Sequence, residues 1–236
     1  MSARIRALSV VMPARDEARL LPAALDALEE ARTALEHLRP DVTTEVLVVL
    51  DSCVDTSAEI VASHTPRVRA LEIDAGSVGA ARSAGVAALL RDAAHPPAQH
   101  WICTTDADST VPLHWLLDHL RAAEAGAALA LGHVRPRSGD LGESELSRWR
   151  EDYARTLLHI HGANLGVRAD AYRRLGGFTA VVEHEDVSLA LRARAAGETV
   201  VLLPESIVTT SGRLEGRTPG GFAGYLRDRC AVPEWS

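Results

Sequence analysis

The chain has 236 residues, 47% of them hydrophobic, which suffices for one substantial core at the upper end of the single-domain range. Lys plus Arg number 25 against 32 Asp plus Glu, a formal charge of -7 at pH 7; with no basic surplus to neutralise a phosphate backbone, nucleic acid is excluded as the expected partner. Cys53, Cys103 and Cys230 are widely spaced with no CxxC pair, which argues against a zinc or dithiol site, fits a reducing compartment, and makes the expected location cytoplasmic.

The first apolar run, Ala7 to Pro13, is too short for a secretory leader and reads as a strand. No run reaches the roughly 18 uncharged apolar residues of a membrane span, so only peripheral membrane contact is left open. In chain order the strand predictions are Ala7 to Met12, Glu45 to Leu50, Val68 to Ile73, His100 to Thr104, Ala127 to Leu131 and Thr199 to Leu203. Helical spacing separates the early ones: Glu17 to Leu38, Thr56 to Ser63, Val78 to Arg91, and Val111 to Glu124 entered through Pro112. Strand followed by helix, repeated, predicts an α/β wind with a parallel sheet. Beyond Arg135 the alternation stops: a loop leads to a helix around Glu145 to Leu158, Gly176-Gly177-Phe178 forms a turn, and Val187 to Ala196 is an amphipathic helix closed by Gly197. The tail from Ser211, with Gly212, Gly216, Gly220, Gly221 and Gly224, reads as a mobile lid.

Chemistry-bearing residues gather where strands end. Asp106 and Asp108 form an Asp-x-Asp after the strand ending at Thr104, where open α/β sheets place ligands. Paired hard oxygens suit Mn²⁺ or Mg²⁺ with substrate phosphates completing the shell; the plainer alternative is a solvated turn capped by Ser109. Asp51 ends another strand and could accept a hydrogen bond from a nucleobase, while Asp55 or Thr56 serves as a helix cap. Gly76 to Gly85 opens a helix with small residues and Arg82, suited either to a phosphate at the helix amino end or to tight packing on the sheet. Glu183, Glu185 and Asp186 crowd the start of the last amphipathic helix; two complement the helix dipole, and a third is a candidate general base. His159 and His161, at i and i+2, read as polar surface; Trp101, Trp115, Trp149 and Trp235 read first as core, and Cys53 and Cys103 as small apolar groups.

In order, Val11-Met12-Pro13-Ala14-Arg15-Asp16-Glu17, Asp51-Ser52-Cys53-Val54-Asp55-Thr56, Gly76 to Gly85, Asp106-Ala107-Asp108, Gly176-Gly177-Phe178 and Glu185-Asp186 resemble family 2 glycosyltransferases of the GT-A fold, over about Ser9 to Thr210. The resemblance implies a three-layer α/β/α sandwich with a mostly parallel central sheet. It divides one domain into a nucleotide-sugar half (residues 7–131), an acceptor and catalytic half (132–210) and a flexible end (211–236). By the same resemblance Pro13, Ala14, Arg15, Glu17, Asp51, Gly76, Arg82 and Asp106 would hold a UDP- or GDP-sugar, Asp106 and Asp108 a Mn²⁺ or Mg²⁺ ion, and Asp186, with Glu185 beside it, would be the base of an inverting transfer. No Q-x-x-R-W motif follows Asp186, which disfavours a processive synthase, and no histidine between Ile207 and Arg213 offers a third metal ligand. The acceptor and a homodimer stay open. The rival readings are a sugar-phosphate nucleotidyltransferase, disfavoured because Pro13 to Glu17 lacks glycine, and an inactive nucleotide-sugar-binding protein.

Overall fold

The computed structural model describes residues 4–156, 159–181, 183–216 and 221–230. Strand β1 (Ala7–Ala14) lies at the centre and buries every residue but Pro13, as an apolar run must when helices cover both faces. It pairs in parallel with β2 (Thr43–Asp51) and β4 (His100–Thr104), and β2 in turn with β3 (Arg69–Ile73). Beyond β4 come β6 (Leu165–Arg168), β5 (Leu129–Pro136) and β7 (Val200–Thr210), giving a seven-stranded sheet in the order β3-β2-β1-β4-β6-β5-β7. The sheet is mostly parallel; β6 runs against both β4 and β5.

The sequence predicted six strands and missed β6, which is only Leu-Gly-Val-Arg and has neither a long apolar run nor a clean alternation. Gly166 is there because Trp101 and His119 fill its space: a Cβ would fall 2.5 Å from Trp101 Nε1 and 2.4 Å from His119 Nδ1. The predicted strand from Ala127 begins instead at Leu129 and runs on to Pro136, and that from Thr199 runs on to Thr210, so both reach the acidic end of the sheet.

Helix α1 (Leu21–Leu38) covers one face with Leu21, Leu25, Leu28 and Leu35, the spacing of a single helical stripe. Each such buried leucine is worth about 2 kcal/mol. Helices α2 (Ser57–Ser63) and α4 (Trp115–Glu124) complete that layer, with Trp115 and Leu120 fully buried. The other face carries α3 (Val78–Arg91), α6 (Ala169–Arg174) and α7 (Glu185–Ala195). The result is the expected three-layer α/β/α sandwich. In α3 a Cβ on Gly85 would lie 2.6 Å from Val11 Cγ1, so this glycine lets the helix approach the sheet. Helix α4 starts four residues later than Val111, and α6 was not foreseen.

Helix α5 (Glu143–Arg155) packs its Trp149 against Leu226 of α8 (Phe222–Cys230), a helix within the segment expected to be a mobile lid. Trp101, Trp115 and Trp149 are buried, as expected, and Cys103 is a core thiol. Leu158, Val182, Arg217, Gly220 and Trp235 lie outside the described residues.

Asn164 ties the two halves of the sheet together. Its Oδ1 accepts from Trp115 Nε1 at 2.8 Å, and its Nδ2 donates to the carbonyls of His133 and Ser206 at 2.8 and 2.7 Å. All three partners are committed to these bonds inside the core, so Asn164→Ala should cost about 3 kcal/mol in urea unfolding, the sum expected when buried polar groups lose partners. Two buried histidines, His100 and His119, and the half-buried His161 add a pH dependence. Burial lowers His100 and His119 to about 4 and His161 to about 3, from 6.5. Below pH 6.5 the unfolded chain takes up protons that the folded chain refuses, so stability falls with pH by about 1.4 kcal/mol per unit for each group down to its folded value. Urea midpoints at pH 7 and pH 5 measure this loss.

Candidate active site

Strand ends deliver the site. After β1, Asp16 takes a left-handed conformation (φ 50°), and its Oδ1 accepts from the amides of Val54 (2.7 Å) and Asp55 (3.3 Å). Asp55 Oδ2 accepts in return from the Ala18 amide at 2.9 Å, while its Oδ1 accepts from the Ser57 amide at 2.9 Å and so caps α2. These bonds lace the β1 loop to the β2 loop and carry Pro13, Ala14, Arg15 and Glu17 to the mouth of the sheet. Asp16, Cys53 and Asp55 place ligand atoms within 4.8 Å of one another, the one such acid and thiol group among the described residues, but its carboxylates already brace loops.

Asp51 is buried at the end of β2. Its Oδ1 accepts from the amides of Ala75 (2.7 Å) and Gly76 (2.9 Å), and its Oδ2 from Ser77 (3.0 Å). Burial alone would raise its pKa; the three amides and the Ser52 hydroxyl outweigh that and hold it below the usual range. The carboxylate expected to read a base therefore shapes the β3–α3 loop, where Gly76 sits at φ 63°. Ser77 Oγ accepts from the Ala80 amide at 3.3 Å and caps α3.

The acids of three elements meet around two guanidiniums. Arg82 of α3 is buried; its Nη2 donates to Asp106 and its Nη1 to Glu185 at the start of α7. Arg213, beyond β7, reaches Glu17 with Nη1 at 2.9 Å and Asp108 with Nη2 at 3.2 Å. An antiparallel bridge between Thr110 and Thr209 brings the end of β7 here, and Ser109, expected as a helix cap, instead sets its Oγ 3.1 Å from Asp108 Oδ1 and 2.8 Å from Thr210 Oγ1. Five carboxylates, those of Glu17, Asp106, Asp108, Glu185 and Asp186, thus face two guanidiniums. Burial raises the Asp106 carboxyl above the ordinary range, Glu185 and Asp186 adding to the push and Arg82 opposing it; burial and Asp106 do the same to Asp108 against Arg213. This uncompensated negative charge suits a divalent cation, which Asp106 and Asp108 could hold.

One cavity of about 600 Å³ is lined by every residue singled out from the sequence as a candidate: Pro13, Ala14, Arg15, Glu17, Asp51, Gly76, Arg82, Asp106, Asp108, Glu185 and Asp186. Arg82 and Glu185 are engaged with each other, and Asp186 is half-buried beside them. Arg15 is exposed, with its Nη1 3.7 Å from where a Gly76 Cβ would stand.

The sequence reading missed the opposite wall. His159 and His161, taken for polar surface, line the cavity together with Tyr153 and Phe222. Their segment is extended, so i and i+2 point the same way, as in a strand. Tyr153 stacks on His159 with centroids 3.6 Å apart, and His161 lies parallel to both within 14°. Three aromatic rings at i, i+6 and i+8 were visible in the sequence, but only the break after α5 sets them side by side.

A family model described as "Glycosyl transferase family 2" matches residues 9–175, over half of the chain, and the protein belongs to this family. No curated protein sequence matches it. Among solved structures, S. aureus TarS 1-349 in complex with UDP-GlcNAc aligns with TM-score 0.67 at 15% identity, covering 92% of this chain and 61% of that one. Mannosyltransferase PcManGT from Pyrobaculum calidifontis, in complex with GDP-Man and Mn2+, aligns with TM-score 0.63 at 22% identity, covering 92% and 59%. Glucosyl-3-phosphoglycerate synthase from Mycobacterium tuberculosis, with Mn2+, UDP and phosphoglyceric acid, gives 0.62 at 16%, covering 97% and 80%. These likenesses establish the GT-A fold, of which the chain spans about three fifths of the TarS and PcManGT lengths. No described helix is long and apolar enough to cross a membrane.

Removing the charge of Arg82 while keeping its length, as in Arg82→Met, leaves Asp106 and Glu185 as unpaired acids. The variant should lose about 3 kcal/mol or more relative to the wild-type chain in denaturant unfolding at pH 7, and that gap should narrow at pH 5, because burial already raises the Asp106 carboxyl.

Proposed function

We propose that the protein transfers a hexosyl unit from a UDP- or GDP-sugar to an acceptor hydroxyl, with Mn²⁺ or Mg²⁺ at Asp106 and Asp108 and inversion at the anomeric carbon. The observation that carries this reading is the surplus of carboxylate over guanidinium at the carboxyl end of the sheet, in a cavity open to the Gly76 loop. It agrees with the donors and ions bound by the structural neighbours, UDP-GlcNAc, GDP-Man and UDP with Mn2+.

The loops after β1 and β2 and the amino end of α3 would clasp the nucleoside, Glu17 turning to the ribose and Arg15 to the phosphates. A divalent ion on Asp106 and Asp108 would supply positive charge for the departing diphosphate. Arg82 fixes Asp106 from beneath and holds Glu185, leaving Asp186 as the carboxylate that takes the acceptor's proton. The acceptor oxygen then bonds to the anomeric carbon as the bond from that carbon to the diphosphate oxygen breaks, in line.

Titration calorimetry with UDP and with GDP, with and without Mn²⁺, tests the reading. Binding of one of them should depend on the metal, and Asp108→Ala should remove the metal-dependent part. Asp186→Asn should retain that binding and lower transfer from the matching sugar donor by about 10²- to 10⁴-fold, the usual contribution of a general base. Metal-independent binding that survives Asp108→Ala would refute the assignment.

A further inference from the structure

The donor end of the cavity is ionic and its other end is aromatic. Tyr153 on α5, His159 and His161 before β6, and Phe222 on α8 make that second wall. The planes of Tyr153, His159 and His161 agree within 14°, and Phe222 meets His161 edge-on with centroids 5.9 Å apart. This wall begins at the acids: Gly162, next after His161, packs so closely on Arg82 that a Cβ would fall 2.4 Å from the guanidinium carbon. A molecule held against the rings therefore reaches the Asp106–Arg82–Glu185 cluster.

The rings are fixed and uncharged. Tyr153 Oη accepts from the Val134 amide at 3.1 Å and lies 3.3 Å from His161 Nε2, a pair of contacts that holds both rings in place. Burial lowers the pKa of His133, His159 and His161; His133 adds to the lowering of His159, and both add to that of His161, while Glu205 opposes the shift of His133. Among the described residues of this end of the cavity there is no arginine or lysine; the lining guanidiniums, Arg15, Arg82 and Arg213, belong to the donor end. Nearby Glu183 and Asp186 add negative charge, which repels an acidic ligand.

From this the geometry points to an acceptor whose hydroxyl-bearing unit is an uncharged ring, packed against His159 and His161 with its hydroxyl toward Asp186; Tyr153, whose ring packs on both Trp149 and His159, backs that surface. The inference rests on the glycosyltransfer reading and adds the class of acceptor. Stacking on π faces selects ring C–H or aromatic surface, and neutral imidazoles offer hydrogen bonds without charge. A saccharide and a phenolic ring share this chemistry, while a phosphorylated or carboxylated acceptor would meet no neutralising cation among the described residues of this wall.

Saturation-transfer NMR on the wild-type chain with Mg²⁺ and saturating UDP or GDP tests this with three probes: methyl β-D-glucopyranoside, unsubstituted phenol and 3-phosphoglycerate. Saturable transfer to the ring protons of a neutral probe is expected, the glucoside responding if the natural acceptor is a sugar and the phenol if it is an aromatic alcohol. His159→Ala should weaken that binding tenfold or more; Phe222→Ala, at the rim of the wall, should weaken it as well and guards against a folding defect in the first variant. Saturable binding of 3-phosphoglycerate in place of the rings, ring binding indifferent to both substitutions, or no ring binding beside tight nucleotide binding each overturns the inference. Failure of UDP and GDP to bind at all would strike the glycosyltransfer reading itself.

Discussion

Arg82 sits out of water between Asp106, on the loop after β4, and Glu185, at the first turn of α7. A buried guanidinium is tolerated only with its charge met, and here each partner comes from a different part of the chain. The pairing binds α3 to α7, and it sets the direction of the first Asp of the Asp-x-Asp. Gly162 must lack a side chain for the guanidinium to lie where it does, so the aromatic wall takes its position from the same contact. The acids above it are then crowded by their neighbours as well as by burial, which makes the site hungry for positive charge.

Arg213 works on the outer side of the same cluster. It bridges Glu17, from the β1 loop, to Asp108, and the Thr110–Thr209 bridge anchors the segment that carries it. The end of β7 is thereby drawn across the strand ends, and α8 beyond it closes against α5 through Leu226 and Trp149. The cavity thus has an ionic side and an aromatic side. On the proposed reading that division suits transfer from a charged donor to a neutral acceptor: the leaving group needs cations and the nucleophile needs a base in low-dielectric surroundings.

Much of this organisation was legible in the residues. The apolar runs of β1, β2 and β4 are long because both faces are covered, and α1 announces itself by Leu21, Leu25, Leu28 and Leu35. The Asp-x-Asp stood out because it follows a buried strand and precedes Pro112. What escaped was short or depended on distant partners. Strand β6 has four residues and owes its place to Trp101 and His119; α8 begins in a glycine-rich tail and is held by Trp149, about seventy residues earlier. The three amide bonds by which Asp51 shapes the next loop, while still lining the cavity, were equally hidden. His159 and His161 looked like surface, since helical spacing would have separated them.

Periodicity and residue chemistry alone determined the α/β layering, the strand ends as the functional edge, and the acidic character of the site, because these follow from local burial and from which side chains carry charge. The tertiary structure decided the pairing of Arg82 with Asp106 and Glu185, the reach of Arg213 to Glu17 and Asp108, and the parallel stack of Tyr153, His159 and His161. These contacts join residues up to 196 positions apart. No local pattern encodes such a meeting; it arises only when the sheet order sets the strand ends side by side.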